Sequence, residues 1–264
     1  MELKNARVLL TGATGGLGQA LARTLSEQGA ELLLSGRDAG RLADVTTGIG
    51  GTGRTAGSVC ADLNLPADIE KTADAARAFG VNVLINNAGI NAFGLYELQD
   101  WHTVEQVLAT NLMAPMQLTN ALLPWLKGRE RAAIVNIGST FGSLPFPGFA
   151  AYSSAKAGLR GFSQALRREL ADSSVEVIHV APRAIATALN SDAVNALNRE
   201  MGSQADSPEV AARQIMAALR GGRGESHFGF PERLFAWLNG CAPAIIDQAL
   251  KAKLAVVKRH AIQS

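Results

Sequence analysis

The sequence predicts an α/β fold in which a doubly wound parallel sheet is flanked by helices. Short apolar runs alternate with helical patterns from the amino terminus onward, and these runs are apolar at nearly every position. Continuous apolar strands are typical of parallel sheets that helices cover on both faces. No repeat or Pro/Ser-rich linker divides the chain. We therefore predict one domain over residues 1–230 and a C-terminal helical extension of that domain over residues 231–264.

The strands are predicted first, from runs rich in Val, Leu and Ile that are too short to be helices. Each is followed by a turn and then by a segment with helical spacing, so right-handed crossovers should join them. The six predicted strands are residues 7–11, 31–35, 56–61, 83–86, 133–137 and 175–181.

The helices are predicted from apolar residues that recur three or four positions apart. The last of them has Ser207 as its N-cap and Pro208 at its first position. The stretch 106–126 lacks charged residues, but its polar residues and two prolines predict a helix buried in the protein rather than a membrane span. The predicted helices are residues 16–28, 38–47, 67–79, 100–127, 152–171 and 206–220.

Charge and cysteine content exclude several kinds of function. The chain has 25 Lys and Arg against 23 Asp and Glu, a net charge of +2, which argues against nucleic-acid binding. Cys60 and Cys241 lie in no CxxC or Cys/His cluster, so neither a disulfide framework nor a metal site is expected. The four histidines show no ligand spacing. Without a signal-peptide pattern, a cytoplasmic location is predicted.

A glycine-rich turn, TGATGGLG at residues 11–18, joins the first strand to the first helix. Gly12 permits the tight turn, Gly16 lets a phosphate approach and Gly18 lets the helix pack closely. Backbone N–H groups at such a helix start bind a pyrophosphate, so a Rossmann-like dinucleotide site is predicted. The spacing GxxxGxG differs from the usual GxGxxG, and a purely structural turn is the alternative.

The end of the second strand indicates which dinucleotide binds. Folds that bind NAD usually place an acidic residue there, whereas this chain has Gly36 followed by Arg37. A guanidinium can hold a 2′-phosphate, so NADP(H) is favoured over NAD(H). Asp38 is better placed as the N-cap of the next helix. A solvated surface charge is the alternative interpretation of Arg37.

Further motifs occur in a fixed order along the chain: Asp62 after the third strand, NNAG at residues 86–89, Asn111, Ser139, and YxxxK at residues 152–156. Together with TGxxxGxG they resemble the short-chain dehydrogenase/reductase family, in its compact single-domain branch of ketoreductases similar to 3-oxoacyl-ACP reductase. The resemblance covers residues 4–187 strongly.

The resemblance implies a catalytic group of Asn111, Ser139, Tyr152 and Lys156. Tyr152 and Lys156 are four apart and share a helix face, so the ammonium should lower the Tyr152 pKa. Tyr152 then exchanges a proton with the substrate oxygen, Ser139 donates a hydrogen bond to it, and Asn111 orients a water relay from Lys156.

The turn and the resemblance together imply a set of cofactor-binding residues along the carboxyl ends of the strands. Tyr152 and Lys156 also belong to it. The other members are Gly12, Thr14, Gly15, Gly16, Leu17, Gly18, Arg37, Asp62, Leu63, Asn87, Ala88, Gly89, Pro182, Ile185 and Thr187.

One position departs from the family pattern PGxxxT, because Arg183 replaces the glycine. Its cation either faces solvent or reaches the pocket and meets an anionic substrate. The predicted pocket walls are mostly apolar, which favours a lipophilic or bulky carbonyl substrate. They are Phe93, Thr140, Phe141, Pro145, Phe146, Phe149 and residues 189–201.

The extension over residues 231–264 carries a predicted apolar stripe of Ile246, Leu250, Leu254 and Val257 opposite basic residues. It predicts either an amphipathic helix on a membrane surface or a helix that packs on a neighbouring subunit or covers the pocket. A homodimer or homotetramer is expected. The predicted function is NADPH-dependent reduction of a carbonyl, and the alternatives are an NAD-linked alcohol dehydrogenase and a non-catalytic NADP(H) sensor. An enoyl reductase fits the Tyr–Lys spacing less well.

Overall fold

The structure is a computed structural model that describes residues 2–4, 6–50 and 56–262. In this part of the chain, seven strands form one sheet in the order β3-β2-β1-β4-β5-β6-β7, with every neighbouring pair parallel. The strand order reverses between β1 and β4, where open α/β sheets bind ligands. The strands are β1 Arg7–Leu10, β2 Glu31–Gly36, β3 Ala56–Cys60, β4 Val83–Asn86, β5 Ala132–Ile137, β6 Val175–Ala181 and β7 Glu225–His227.

Helices connect the strands and cover both faces of the sheet. All six predicted strands and all six predicted helical segments are present, with ends shifted by up to three residues, although the predicted helix over residues 100–127 is divided into α4 and α5. The helices are α1 Gly16–Glu27, α2 Ala39–Gly50, α3 Pro66–Phe79, α4 Trp101–Leu108, α5 Ala114–Lys127, α6 Ala150–Glu169, α7 Asp192–Glu200, α8 Pro208–Gly221, α9 Glu232–Cys241, α10 Pro243–Lys251 and α11 Leu254–Ala261.

The core has two layers because successive strand residues point to opposite faces. Val8 and Leu10 join the cluster under α1, α2 and α8, whereas Leu9 between them joins the cluster under α3, α5 and α6. The side chains of Val8, Leu9 and Leu10 are all fully buried. This burial on both faces explains why the strands read as continuous apolar runs.

A row of polar side chains crosses four neighbouring strands. The strand registers pair Asn86 with Asn136, Asn136 with His179, and His179 with Glu225. Asn86 donates to Asn136 Oδ1 at 2.8 Å, and Asn136 donates to Ser163 Oγ at 2.8 Å. Burial lowers the His179 pKa to about 3, so its imidazole is neutral. The bonds of Asn86 and Asn136 satisfy polar groups in the interior, and Asn86 therefore acts as a structural residue of the NNAG motif.

The C-terminal extension forms three helices, α9 to α11, rather than one amphipathic helix. Two positions of the predicted apolar stripe are buried, Ile246 at 6% exposed and Val257 fully, whereas Leu250 and Leu254 are partly exposed. The burial of these two positions favours the packing alternative over an amphipathic helix on a membrane surface. In the described ranges, no helix is long and apolar enough to cross a membrane.

Gly18 allows α1 to start directly against the glycine-rich turn. A Cβ at this position would overlap the carbonyl oxygen of Gly12 and lie 2.9 Å from the Cα of Ala13. Since both are backbone atoms that cannot easily move, we expect Gly18→Ala to lower the free energy of unfolding by about 1–3 kcal/mol. Thermal denaturation measures the change.

The matched control is Gly161→Ala in α6, where an added Cβ meets no atom within 4 Å. It should stabilise the protein by up to about 1 kcal/mol, since alanine is the better helix former. Equal melting temperatures for the two variants would show that the close approach at Gly18 is not what constrains this turn.

Candidate active site

The glycine-rich turn lies against the loop that follows β4. Gly12 has a φ of +64°, and a Cβ there would lie 2.7 Å from the Cα of Ala88. The hydroxyl of Thr11 accepts hydrogen bonds from the backbone N–H groups of Asn87 and Ala88, both at 3.0 Å. The Asn87 amide donates back to the carbonyl of Thr11 at 3.0 Å. These bonds fix the floor of a groove at the strand-order reversal.

The groove has the backbone geometry that a dinucleotide pyrophosphate requires. Gly15 is the N-cap of α1, no side chain caps the helix, and both Gly15 and Gly16 are exposed. A Cβ at Gly15 would have only the Gly12 oxygen near it, at 3.5 Å, so this side of the turn is open. The uncapped N–H groups and the helix dipole favour an anion here.

Two arginines lie at the end of the groove formed by β2. Arg37 follows β2 and its side chain is exposed. Arg41, which the sequence analysis missed, donates to the carbonyl of Thr14 at 2.8 Å. Asp38 accepts from the backbone N–H of Arg41 at 3.0 Å, which confirms it as the N-cap of α2. The cap therefore orients the first turn of α2 so that Arg41 reaches the glycine-rich turn.

Asp62 and Leu63 follow β3 at the neighbouring strand end. An Asp62 carboxylate oxygen accepts from the backbone N–H of Asn64 at 3.1 Å, and its own N–H donates to Asp68 at 2.7 Å. Leu63 is buried. The loop is therefore ordered by its own hydrogen bonds, and Asp62 remains partly exposed towards the groove edge.

Asn111 lies in a π-helical turn, Ala109–Met113, between α4 and α5. The sequence analysis predicted an uninterrupted helix here. Its buried amide donates to the carbonyl of Ile90 at 2.8 Å and accepts from the Ile90 N–H at 2.9 Å. A Cβ at Gly89 would lie 3.0 Å from Asn111 Oδ1 and 3.7 Å from Lys156 Nζ. Asn111, Gly89 and Lys156 therefore meet at one point beside the groove.

Tyr152 and Lys156 occupy the first two turns of α6, which begins two residues earlier than predicted. Lys156 Nζ lies 5.8 Å from the centre of the Tyr152 ring and donates to the carbonyl of Ile137 at 2.9 Å. Ser139 follows β5, and its hydroxyl accepts from the N–H of Phe141 at 3.2 Å. The four predicted catalytic side chains thus come from the ends of β5, the π-helical turn and α6.

Burial shapes the acid–base properties of this group. It lowers the Lys156 pKa to about 8, and it raises the pKa of Tyr152, while a hydrogen bond with Ser139 acts in the opposite direction. The predicted lowering of the Tyr152 pKa by Lys156 is therefore wrong for this structure. Desolvation dominates, so Tyr152 carries its proton at neutral pH.

Aromatic rings surround the Tyr152 side chain. The Phe141 and Phe149 rings each have their centre 6.5 Å from that of Tyr152 in edge-on geometry. Phe93 and Phe146 join the same cluster, as predicted, whereas Thr140 donates to the Pro182 carbonyl and Pro145 is exposed. The cluster also includes Val194, Leu197 and Met201 from the predicted wall at residues 189–201. Val257 of α11 belongs to it as well, and the sequence did not predict this residue.

Arg183 neither faces solvent nor reaches the pocket, so both sequence-based interpretations are wrong. It is partly buried and forms a two-pronged ion pair with Asp206, at 2.9 and 2.6 Å. Ile185 and Asp206 form a backbone bridge alongside this pair. The loop that follows β6 is thus tied to the segment before α8, and it carries Thr187 to within contact of Gly16 across the groove.

We expect the Arg183–Asp206 pair to hold the loop that closes the groove. Asp206→Asn removes the charge and one strong acceptor, so the KM for the cofactor should rise about three- to tenfold with a small change in kcat. Steady-state kinetics and hydrogen exchange of residues 183–187 measure the effect. Arg223→Gly, at an exposed turn, is the control. Unchanged KM and exchange in Asp206→Asn would contradict this role.

Comparison with known proteins decides the family. The family model described as short chain dehydrogenase matches residues 6–198. The chain belongs to the short-chain dehydrogenase family. It is therefore an oxidoreductase with a nicotinamide cofactor, and the exposed glycine turn described above fits that cofactor.

Two relatives illustrate the breadth of this short-chain dehydrogenase group. Dehydrogenase/reductase SDR family member 7B of Bos taurus is 35% identical over 82% of this chain and 71% of its own length. The chain spans only 64% of the rat and mouse proteins of that name. 3-Oxoacyl-[acyl-carrier-protein] reductase FabG of Escherichia coli is 33% identical over 71% of this chain and 76% of its own length.

Solved structures of short-chain dehydrogenases share the fold. One from Burkholderia cenocepacia, in complex with NADP, has a TM-score of 0.81 at 26% identity and covers 95% of this chain and 99% of its own. One from Burkholderia phymatum, in complex with NAD, has a TM-score of 0.84 at 24% identity over 93% and 96% of the two chains. Because the Burkholderia phymatum structure is only 24% identical, its similarity to this chain shows the shared fold alone.

Proposed function

We propose that this protein is an NADPH-dependent reductase that converts a lipophilic or bulky ketone to an alcohol. The observation that carries the proposal is the meeting of Tyr152, Lys156, Ser139 and Asn111 beside the glycine-rich groove and under an aromatic cluster. NADPH supplies the hydride when bound. Both Tyr152 and Lys156 are present, which argues against a protein that only senses the cofactor.

Each residue has a defined task in this proposal. Tyr152 gives its phenolic proton to the carbonyl oxygen as negative charge develops there. Ser139 donates a hydrogen bond to the same oxygen and stabilises that charge. The Lys156 ammonium supports the resulting phenolate and holds a ribose hydroxyl. Lys156 then passes a proton back to the Tyr152 phenolate, and Asn111 positions the water relay through which solvent would restore the proton that Lys156 has given.

The rest of the groove holds the cofactor in the same proposal. The N–H groups of residues 15–17 receive the pyrophosphate, and Asp62 and Leu63 flank the adenine. The loop over residues 87–89 and that over residues 182–187 flank the nicotinamide half. Arg37 and Arg41 provide two cations for a 2′-phosphate, which supports NADPH over NADH.

The apolar surroundings of Tyr152 support the substrate class. Phe141 stacks on Phe146 with ring centres 5.4 Å apart, and Phe149 packs against Phe93 at 4.9 Å. Such walls offer few hydrogen bonds to a hydroxyl-rich substrate and bury apolar area instead. A bulky hydrophobic ketone therefore suits this site better than a sugar ketone.

A homodimer or homotetramer completes the proposal. Trp101 and Met113 on the segment from α4 to α5 are 60% and 52% exposed, which leaves apolar area available for a symmetric contact. Sedimentation equilibrium distinguishes a dimer from a tetramer and from a monomer.

The test is NADPH oxidation against a panel of aromatic ketones, steroids, quinones, acyl thioesters and sugar ketones, with NADH as the comparison. We expect turnover with NADPH and a lipophilic ketone. A sugar ketone as the best substrate would overturn the substrate class, and preference for NADH with an alcohol would favour the alternative dehydrogenase. Tight NADPH binding without turnover on any member would favour the sensor.

Reduction should weaken as the pH rises past the Lys156 pKa of about 8. Loss of the ammonium proton removes the charge that supports the Tyr152 phenolate, so kcat/KM should fall about tenfold per pH unit above that value. Lys156→Arg keeps a cation, so the activity that this variant retains should decline only at a higher pH. A flat profile between pH 7 and 10 in the unmodified enzyme would contradict the role of Lys156.

A further inference from the structure

The C-terminal extension contacts the loop that leads from the end of β5 to α6. We call residues 143–149 of this loop the pocket loop. The Asn239 amide of α9 donates to the carbonyl of Ser143 at 3.0 Å, where the pocket loop begins. Near the other end of the loop, a Cβ on Gly148 would lie 3.2 Å from a methyl group of Val257 in α11. The extension therefore holds the pocket loop at both of its ends.

Gly148 is the point at which α11 meets the aromatic wall of the pocket. Its φ is +84°, and a Cβ there would lie only 2.6 Å from the Phe93 ring. Because glycine has no side chain, this ring and the methyl group of Val257 both approach the backbone of the pocket loop. The Gly148 carbonyl also accepts from the N–H of Gly94 at 2.9 Å. Val257 and Phe93 therefore lie against the same short stretch of chain.

Val257 belongs to the apolar cluster around Tyr152 and not to the core of the sheet. This cluster shares no member with the two clusters that cover the faces of the sheet. Val257 and Phe149 are buried in it, whereas Phe141, Phe146 and Tyr152 are partly exposed. The buried members thus form the back of a wall, and the partly exposed rings form its front.

A polar clasp and an apolar contact attach α11 to α7. The carboxylate of Glu200, at the end of α7, accepts from Arg259 at 3.1 Å and from Nε2 of His260 at 2.7 Å. The inner side of α7 contributes Val194 and Leu197 to the cluster that contains the buried valine of α11. Because α11 is held both by charge and by packing, its side chains keep a fixed position behind the pocket wall.

We propose that α11 forms the back wall of the ketone pocket and that Val257 sets the length of the substrate that the pocket accepts. The inference rests on the proposed function, because it concerns the size of the ketone that this site reduces. A smaller side chain in place of Val257 leaves a cavity into which the pocket loop moves back, so a longer ketone fits. A larger side chain pushes the loop forward and shortens the pocket.

The test is the reduction by NADPH of phenyl alkyl ketones with increasing chain length. Val257→Ala should raise the ratio of kcat/KM for a long ketone to that for a short one about tenfold, since one methylene in an apolar pocket changes specificity by about 10–200-fold. Val257→Ile adds a methyl group and should lower the same ratio. A residue that only stabilises the fold would not change this ratio in opposite directions when it is made smaller and larger.

Val81→Ala is the matched control, because Val81 is also fully buried but belongs to the cluster under α3 and α5. It removes the same two methyl groups and should leave the ratio between long and short ketones unchanged. An unchanged ratio in both Val257→Ala and Val257→Ile would overturn the inference. So would an equal change of the ratio in Val81→Ala.

Amide hydrogen exchange separates a failure of this inference from a failure of the proposed function. If the unmodified enzyme reduced no ketone of the series, the proposed function would fail, and exchange in residues 143–152 would decide on α11 without cofactor or substrate. This exchange should be on the order of tenfold faster in Val257→Ala than in Val81→Ala, since only the first variant removes support from the pocket loop. Equal exchange rates in the two variants would overturn the role of α11.

Discussion

Replacing Tyr152 by phenylalanine is expected to lower kcat for carbonyl reduction by about 10²–10⁴-fold, the usual contribution of a general acid. The change removes one oxygen and keeps the ring in its cluster with Phe141 and Phe149. The affinity for NADPH should change little. Steady-state kinetics and cofactor fluorescence measure the two effects separately.

The chain contains one other tyrosine, which provides the matched control. Tyr96 is 55% exposed and lies outside the groove, so Tyr96→Phe should retain full activity. If Tyr152→Phe turned over at the unmodified rate, a different group would have to deliver the proton, and the proposed mechanism would fail. If it lost NADPH binding as well, Tyr152 would act mainly in holding the cofactor.

Removing both cations at the end of β2 is expected to have the second largest effect. Arg37→Ala with Arg41→Ala should raise the KM for NADPH about 10–100-fold and leave the KM for NADH nearly unchanged, since only NADPH carries the 2′-phosphate. Initial-rate kinetics with both cofactors measure this. The contrast between cofactors also controls for loss of the Arg41 bond to Thr14.

Arg23→Ala is a control for general electrostatics. Arg23 is exposed on α1 and pairs with Glu209 at 3.4 Å, outside the groove. It should leave both KM values unchanged. A parallel rise for NADPH and NADH in the double variant would mean that the arginines shape the turn rather than recognise a phosphate.

Much of the fold could be predicted because its signals are local. Buried parallel strands such as residues 83–86 are apolar at nearly every position, and the cap at Ser207 accepts from the N–H of Val210 as predicted. The motif order also places Ser139 at the end of a strand and Tyr152 and Lys156 at the start of a helix. These segments meet at the carboxyl ends of the strands. The parallel topology of the sheet then brings these side chains together.

The features that sequence reasoning missed depend on contacts between distant segments. β7 is three residues long and reads ESH, which carries no strand pattern. The π-helical turn at Asn111 has i→i+5 hydrogen bonds, so it inserts one extra residue into the helix. The apolar spacing of the sequence gives no sign of this insertion. Arg183 finds Asp206 only because the two segments pair in space, and Val257 of α11 belongs to the apolar cluster against which Tyr152 packs.

Transfer of deuterium from NADPH that carries deuterium at both hydrogen positions of nicotinamide C4 tests the central claim most directly. The enzyme is incubated with the labelled cofactor and the best ketone of the panel, and the alcohol is analysed by mass spectrometry. The account predicts one deuterium on the carbinol carbon, formed by the unmodified enzyme and by Tyr96→Phe but only slowly by Tyr152→Phe. An alcohol without deuterium, or equal labelling rates in all three proteins, would contradict it.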